Sequence, residues 1–132
     1  MQGIHHLGVA VTDLDDAITT YERLFDARLE CRQPLTEQGV EAASMLVGES
    51  RFELVTPTGD DTPVGRFLAR RGPGMHHVAL KTDDLLATLD ELESAGAQVI
   101  DRVPRHGLFG LEVVFVHPDS VHGVLTEVVA SG

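Results

Sequence analysis

The chain has 132 residues, 42% of them hydrophobic, and its 21 acids against 10 bases give a formal net charge of -11. This acidic balance argues against binding to nucleic acid or to anionic membranes, because both interactions need clustered lysines and arginines. The length fits one ordinary domain, or two half-size modules that share a core.

The first part of the chain, residues 1–57, predicts a strand, a helix and three further strands. Ile4–Val11 is typical of a strand, and Asp13 opens a helix whose apolar residues follow helical spacing. Three short strands are predicted next, and the last two are joined by a tight turn that contains a glycine: Leu29–Arg32, Val40–Val47 and Arg51–Val55. This first module is therefore βαβββ.

The rest of the chain predicts a connector, residues 58–73, and a second βαβββ module, residues 74–132. The connector contains a helix that starts at Asp61-Thr62-Pro63 and ends at Gly72. The second module contains a strand, a helix that ends before Gly96, and three more strands, with a glycine-rich loop, Pro104–Gly110, at which a substrate can approach the backbone. These elements are predicted at Met75–Thr82, Asp83–Ala95, Gln98–Arg102, Leu111–Val116 and Val121–Val129.

A repeated motif relates the two modules. Gly3-Ile4-His5-His6-Leu7 is matched by Gly74-Met75-His76-His77-Val78, and each module closes with an apolar strand that contains one acid, Glu53 or Glu127. Internal repetition of this kind indicates a duplicated unit. We therefore expect an α+β fold of two tandem βαβββ modules that form one structural domain.

The repeat also places possible metal ligands at matching positions. Glu53 and Glu127 are 74 residues apart and the histidine pairs are 71 apart. The segment from histidine to acid is therefore only three residues longer in the second module. A buried unpaired carboxylate is unfavourable, and a divalent metal with nitrogen and oxygen ligands needs three or four side chains from separate strands. At any one of these positions taken alone, the alternative to a metal ligand is an exposed strand acid or a hydrogen-bonded core histidine. Four matching positions favour a metal site that uses one histidine from each pair.

Several segments of the chain match one known sequence pattern: Gly3-Ile4-His5-His6-Leu7-Gly8-Val9, Glu37-Gln38-Gly39-Val40, Glu53-Leu54-Val55-Thr56-Pro57, Phe67-Leu68-Ala69-Arg70-Arg71-Gly72, Gly74-Met75-His76-His77-Val78, His117-Pro118 and Gly123-Val124-Leu125-Thr126-Glu127. Through them the chain resembles the vicinal oxygen chelate superfamily over essentially its whole length. Within that superfamily it most resembles the methylmalonyl-CoA epimerases. The resemblance implies a curved mixed sheet around a metal site.

The resemblance also implies a ligand set and a reaction. It selects the second histidine of each pair, so the implied ligands are His6, Glu53, His77 and Glu127. Cobalt is the metal most favoured by the resemblance, although zinc, nickel, manganese and iron also use such ligands. The implied reaction inverts the carbon between a carboxylate and a CoA thioester through a metal-stabilised enolate. Glu127 is also implied as one of the two acid/base groups.

The second acid/base group is where the chain departs from the family pattern. Some family members have an acid shortly after the Glu-Gln-Gly-Val run, and that position is Ala42 here. The nearest acid is Glu41, one residue earlier, and neighbouring residues on a strand point to opposite faces. Glu41 is thus a candidate catalytic residue, with an exposed strand glutamate as the alternative.

The resemblance implies an acyl-CoA substrate and a homodimer. Because CoA is anionic and the chain is acidic, binding needs a local basic rim, for which five arginines are candidates: Arg66, Arg70, Arg71, Arg102 and Arg105. Three other functions of the same fold are alternatives. They are a glyoxalase I-like lyase, an extradiol-type dioxygenase and a metal-free protein that binds small molecules.

The sequence indicates a cytoplasmic location. It contains no apolar stretch long enough to span a bilayer, and no basic region followed by an apolar core at the start. The single cysteine, Cys31, cannot form an internal disulfide, which fits a reducing compartment.

Overall fold

The computed structural model describes residues 1–131, so residue 132 of the predicted second module lies outside the described residues. Within this range the chain forms eight strands and three α-helices, in the order β1 (Ile4–Ala10), α1 (Leu14–Phe25), β2 (Arg28–Leu35), β3 (Val40–Val47), β4 (Ser50–Pro57), α2 (Pro63–Arg71), β5 (Gly74–Thr82), α3 (Leu85–Ser94), β6 (Arg105–His106), β7 (Glu112–Val116) and β8 (Thr126–Ala130). Short 3₁₀ turns lie between several of them.

Each helix begins at a polar side chain that caps its first turn. The Asp13 carboxylate accepts a hydrogen bond from the Asp16 backbone N–H at the start of α1, and Asp84 accepts one from Ala87 at the start of α3. Thr62 caps α2 in the same way. Such caps satisfy backbone donors that have no partner inside the helix. None of the helices within residues 1–131 is long and apolar enough to cross a membrane.

One compact unit spans residues 6–76 and contains the first four strands with α1 and α2. Its strands are ordered β2-β3-β4-β1, with β4 parallel to β1 and the other pairs antiparallel. Helix α1 packs on one face of these strands through buried Leu14 and Ile18, which join Ala43, Met45 and Leu54 in one hydrophobic cluster. Alternation along β3 and β4 then assigns Ser44 and Glu53 to the face that α1 does not cover.

The other compact unit contains residues 1–5 and the chain from residue 77 onward. Its strands are ordered β5-β8-β7-β6, with β5 parallel to β8 and the other pairs antiparallel. Helix α3 packs on one face through Leu85, in a cluster with Val114, Val116 and Val128. On the other face Ala79, Val113 and Val129 form a second cluster.

The duplicated βαβββ plan is confirmed. In both halves the first strand lies parallel to the fourth, and the third strand lies between the second and the fourth. The predicted helices and the bounds of β3 are also close to those observed.

Two predicted strands of the second module were wrong in extent. Gln98–Arg102 forms only an isolated bridge between Val99 and Val116, while the predicted loop contains the short strand β6. The closing strand begins at Thr126 rather than at Val121. Pro118–Val121 is instead a 3₁₀ turn whose first residues are capped by the His117 ring, and Gly123 follows with a φ of 92°.

Candidate metal centre

The first predicted ligand pair lies on adjacent parallel strands. His6 of β1 and Glu53 of β4 are both buried, and the His6 Nε2 atom lies 3.5 Å from the Glu53 Oε2 atom. The register of the two strands pairs Glu53 with Gly8, two residues after the histidine. Since alternate residues of a strand share a face, this register puts the imidazole and the carboxylate on the same side of the sheet.

The second pair repeats this geometry. His77 of β5 and Glu127 of β8 are both buried, and the His77 Nε2 atom lies 3.7 Å from the Glu127 Oε2 atom. Glu127 is in register with Ala79, again two residues after the histidine. Phe115 is the antiparallel partner of Glu127, and its ring meets the His77 ring edge to face at 6.4 Å. The sequence repeat therefore corresponds to a repeated arrangement of side chains.

The four predicted ligands form two buried pairs, one in each unit, and each pair offers an imidazole nitrogen and a carboxylate oxygen. Imidazole nitrogens and carboxylate oxygens are ordinary ligands of divalent transition metals. Burial raises the pKa of the Glu53 carboxyl to about 7. The residues thus fit a divalent metal.

The remaining histidines of the two motifs have other surroundings. His5 and His76 are each partly buried, and the His76 ring packs edge to face against Phe67 of α2, with 5.0 Å between ring centroids. Burial lowers the pKa of His76. The Arg71 guanidinium lies 5.8 Å from the Phe67 ring on the same helix. His76 therefore connects strand β5 to the connector helix.

Glu41, the candidate second acid/base group, lies on a different face from Glu53. Glu41 precedes Ala42 on β3 and is in register with Thr56, whereas Glu53 is in register with Ser44. Alternation puts Glu41 on the face that packs against α1. Its carboxylate accepts a hydrogen bond of 2.8 Å from Arg32, which also contacts Asp15. The catalytic assignment of Glu41 stays a prediction.

A polar cluster on the Glu53 face was not predicted from the sequence. The Glu30 carboxylate of β2 accepts hydrogen bonds from the Arg51 guanidinium and from the Ser44 hydroxyl. The Arg51 hydrogen bonds hold the pKa of Glu30 below its usual value. Arg51 and Glu53 are two residues apart on one strand, so the sequence indicates that they share a face. Glu30 lies at a register shift between Leu29 and Cys31, which no sequence pattern indicates.

The arginines proposed for CoA binding have varied contacts. Arg66 pairs with Asp61, Arg102 with Glu93 and Arg105 with Asp101, at distances of 3.0, 2.9 and 3.3 Å. All three guanidinium groups are substantially exposed. In register with Val113, Arg105 lies on the strand face that carries the Ala79, Val113 and Val129 cluster. Solvent-exposed ion pairs of this kind are weak enough to be exchanged for a phosphate.

The buried carboxylate predicts an unusual pH dependence for the metal-free protein. The pKa of Glu53 is about 7 in the folded state against an ordinary value of 4.5, so between these values the folded chain keeps a proton that the unfolded chain has released. Between these two values the free energy of unfolding should therefore fall as the pH rises, by about 3 kcal/mol in total. Urea unfolding of chelator-treated protein at pH 4.5 to 8, beside Glu53→Gln, measures this contribution. The same dependence of unfolding free energy on pH in the wild-type protein and in Glu53→Gln would contradict this contribution of Glu53.

Comparisons with known proteins place the chain among its relatives. The model of the Glyoxalase/Bleomycin resistance protein/Dioxygenase superfamily matches residues 5–115. The uncharacterized protein YqjC of Bacillus subtilis is 35% identical over 127 residues, which cover 96% of this chain and 91% of that protein. The ethylmalonyl-CoA/methylmalonyl-CoA epimerase of Cereibacter sphaeroides is 32% identical over 126 residues, which cover 94% of each protein.

The similarity extends to solved structures. A methylmalonyl-CoA epimerase in complex with methylmalonyl-CoA and NH4+ superposes with a TM-score of 0.95 at 34% sequence identity. The match covers 98% of this chain and 94% of that one. The likeness therefore includes all the strands that carry the buried histidines and glutamates.

Proposed function

We propose that this chain, which belongs to the glyoxalase/bleomycin resistance protein/dioxygenase superfamily, is a metal-dependent epimerase of methylmalonyl-CoA or of a similar 2-carboxyacyl-CoA. The observation that carries the proposal is the pair of buried His–Glu contacts in equivalent positions of the two halves. Full-length similarity to epimerases of such substrates, one of them solved with methylmalonyl-CoA bound, supports the choice of substrate.

In this proposal four side chains hold one divalent metal: His6, Glu53, His77 and Glu127. Cobalt is the preferred ion, and zinc, nickel, manganese and iron are compatible with the same donors. When bound, the metal supplies Lewis-acid stabilisation of the negative charge that develops on the thioester oxygen. The chain supplies burial, since all four side chains lie almost entirely out of solvent, where their attraction for a cation is stronger than in water.

Proton transfer is assigned to Glu127. Its carboxylate takes the α-proton from the carbon between the substrate carboxylate and the thioester, and it lies beside the His77 imidazole, against which the Phe115 ring packs. Inversion requires the proton to return on the opposite face of that carbon. A second group or a water molecule has to deliver it. Glu41 is the weaker candidate because Arg32 binds its carboxylate on the α1 side of the sheet.

The decisive experiment follows the α-proton of the substrate. Purified protein loaded with Co²⁺ is incubated with methylmalonyl-CoA in D₂O, and deuterium incorporation is measured by mass spectrometry with metal content measured in parallel. We expect exchange that stops with chelator and returns with added metal. Turnover of a glutathione hemithioacetal without exchange would favour the glyoxalase I-like lyase. Protein that binds no stoichiometric metal would favour a metal-free binding protein.

We also propose that the protein is a cytoplasmic homodimer. Three apolar residues near the end of α1 and the start of β2, Leu24, Phe25 and Leu29, are 56%, 55% and 39% exposed. Exposed apolar side chains of this size favour contact with a second chain. Light scattering after gel filtration measures the mass, and a monomer at micromolar concentration would contradict the dimer.

A further inference from the structure

An apolar cluster lies on the same face of strands β7 and β8 as Glu127. These strands pair Phe115 with Glu127 and Val113 with Val129. Because alternate residues of a strand share a face, Glu127 projects on the side opposite to helix α3. The buried cluster on that side consists of Ala79, Val113 and Val129, and Phe115 packs against it. The proposed general base therefore has an apolar surface beside it.

Phe115 is the side chain of this surface that lies directly opposite Glu127. For residues paired in this way on antiparallel strands, the two Cβ atoms are about 5 Å apart. The Phe115 ring also meets the His77 ring edge to face, with 6.4 Å between the ring centroids. Phe115 is partly buried, whereas Val113 and Val129 are each 2% exposed. Phe115 thus presents accessible apolar surface next to the proposed base and a proposed metal ligand.

The proposed reaction brings one apolar group to this place. A general base has to come within about 3 Å of the atom from which it takes a proton. The reacting carbon bears a hydrogen, a carboxylate, a thioester and one alkyl group. Of these, the alkyl group gains most by leaving water for an apolar surface. When Glu127 reaches the α-proton, this alkyl group comes within reach of the ring opposite Glu127.

We propose that Phe115 is a specificity-determining residue whose ring contacts the 2-alkyl group of the acyl-CoA substrate and limits the size of that group. The inference rests on the proposed function, because it takes Glu127 as the base at the alkylated carbon. It deepens that function by naming the substrate class as 2-carboxyacyl-CoA esters with a short alkyl group, since the ring occupies space that a longer chain would need. One methylene in an apolar pocket typically changes kcat/KM by about 10-fold to 200-fold.

The test compares two esters that differ in their alkyl group. Full-length protein loaded with Co²⁺ is given methylmalonyl-CoA or propylmalonyl-CoA in D₂O, and kcat/KM for exchange of the α-proton is measured for each ester. We expect Phe115→Ala to raise the propyl-to-methyl ratio of kcat/KM by about tenfold or more. Phe115→Leu is the second variant should Phe115→Ala fold poorly, with a rise of about threefold. Because both esters are measured on one sample, a loss of folded protein lowers both rates and leaves their ratio unchanged.

Phe52→Leu is the matched control. Phe52 is also a partly buried phenylalanine of a strand, but it packs in the cluster that α1 covers. Its ratio should stay within about twofold of wild type. Calorimetric titration gives a readout that does not depend on turnover. Malonyl-CoA, which has no 2-alkyl group, should bind Phe115→Ala and the wild-type chain alike, whereas propylmalonyl-CoA should bind Phe115→Ala more tightly than wild type.

An unchanged propyl-to-methyl ratio in both Phe115 variants, or an equal rise of this ratio in Phe52→Leu, would overturn the inference while leaving the proposed function in place. A wild-type chain that exchanges no α-proton from either ester would overturn the proposed function and the inference with it. The two failures are distinguishable because the second is seen in the wild-type chain alone.

Discussion

Glu127→Gln should lower the rate of α-proton exchange by about 1000-fold, which is the usual range for loss of a positioned general base. The amide is nearly isosteric and retains an oxygen that can face a metal, but it cannot accept the α-proton. Glu127 is buried and in register with Ala79, so the substitution leaves the backbone pairing of β5 and β8 in place. The measurement is deuterium incorporation into methylmalonyl-CoA, with bound metal quantified in each sample.

The matched variant is Glu41→Gln. It removes the same charge from strand β3, on the face that packs against α1, where Arg32 binds the carboxylate. We expect a change of less than about tenfold in exchange, since only a partly exposed ion pair is lost. If Glu41→Gln abolished exchange while Glu127→Gln retained it, the catalytic roles proposed for the two acids would have to be reversed.

The second large effect is expected at a histidine. His77→Ala should weaken binding of the divalent metal by at least about 100-fold, because a buried imidazole ligand is removed and the methyl side chain cannot replace it. The variant should also lose stabilisation by metal, which for the wild-type protein amounts to about 2.7 kcal/mol at a metal concentration 100 times the Kd. Calorimetric titration gives the affinity, and thermal unfolding with and without metal gives the stabilisation.

His76→Gln is the control for this experiment. His76 is the adjacent histidine of the same motif, but its ring packs on Phe67 of the connector helix rather than next to Glu127. It should lose packing energy while its metal affinity stays within about threefold of wild type. Loss of metal binding in His76→Gln together with retention in His77→Ala would show that the other histidine of the pair is the ligand.

Much of the fold follows from local patterns that the structure retains. The caps at Asp13, Thr62 and Asp84 are short-range features, so the starts of all three α-helices can be predicted from the sequence. The repeat fixes the plan of the second module once the first is understood. The segment Gln98–Arg102 is predicted as a strand but forms an isolated bridge at Val99, beside a hydrogen bond from the Ile100 N–H to the Phe115 carbonyl, because its pairing depends on tertiary contacts.

Part of the candidate site could be predicted from the positions of acids within strands. Buried acids within apolar strands signalled Glu53 and Glu127, and strand alternation indicated that Glu41 and Ala42 face opposite sides. The contacts of Glu30 could not be predicted from the sequence. Glu30 lies on strand β2 where the β2–β3 register shifts, and there it accepts a hydrogen bond from buried Ser44. Such a shift depends on tertiary pairing, which a single sequence does not encode locally.

In both halves the acid has the same register relative to the histidine, and this restricts where residues can be inserted or deleted. In each half the acid lies opposite the residue two positions after the histidine, on a parallel neighbour. Inserting or deleting one residue within either strand would turn the carboxylate to the far side of the sheet. The three-residue difference in module length therefore lies in the segments between the histidine strand and the acid strand of each half. Those are also the segments where a designer can lengthen or shorten this chain while the four side chains keep their places.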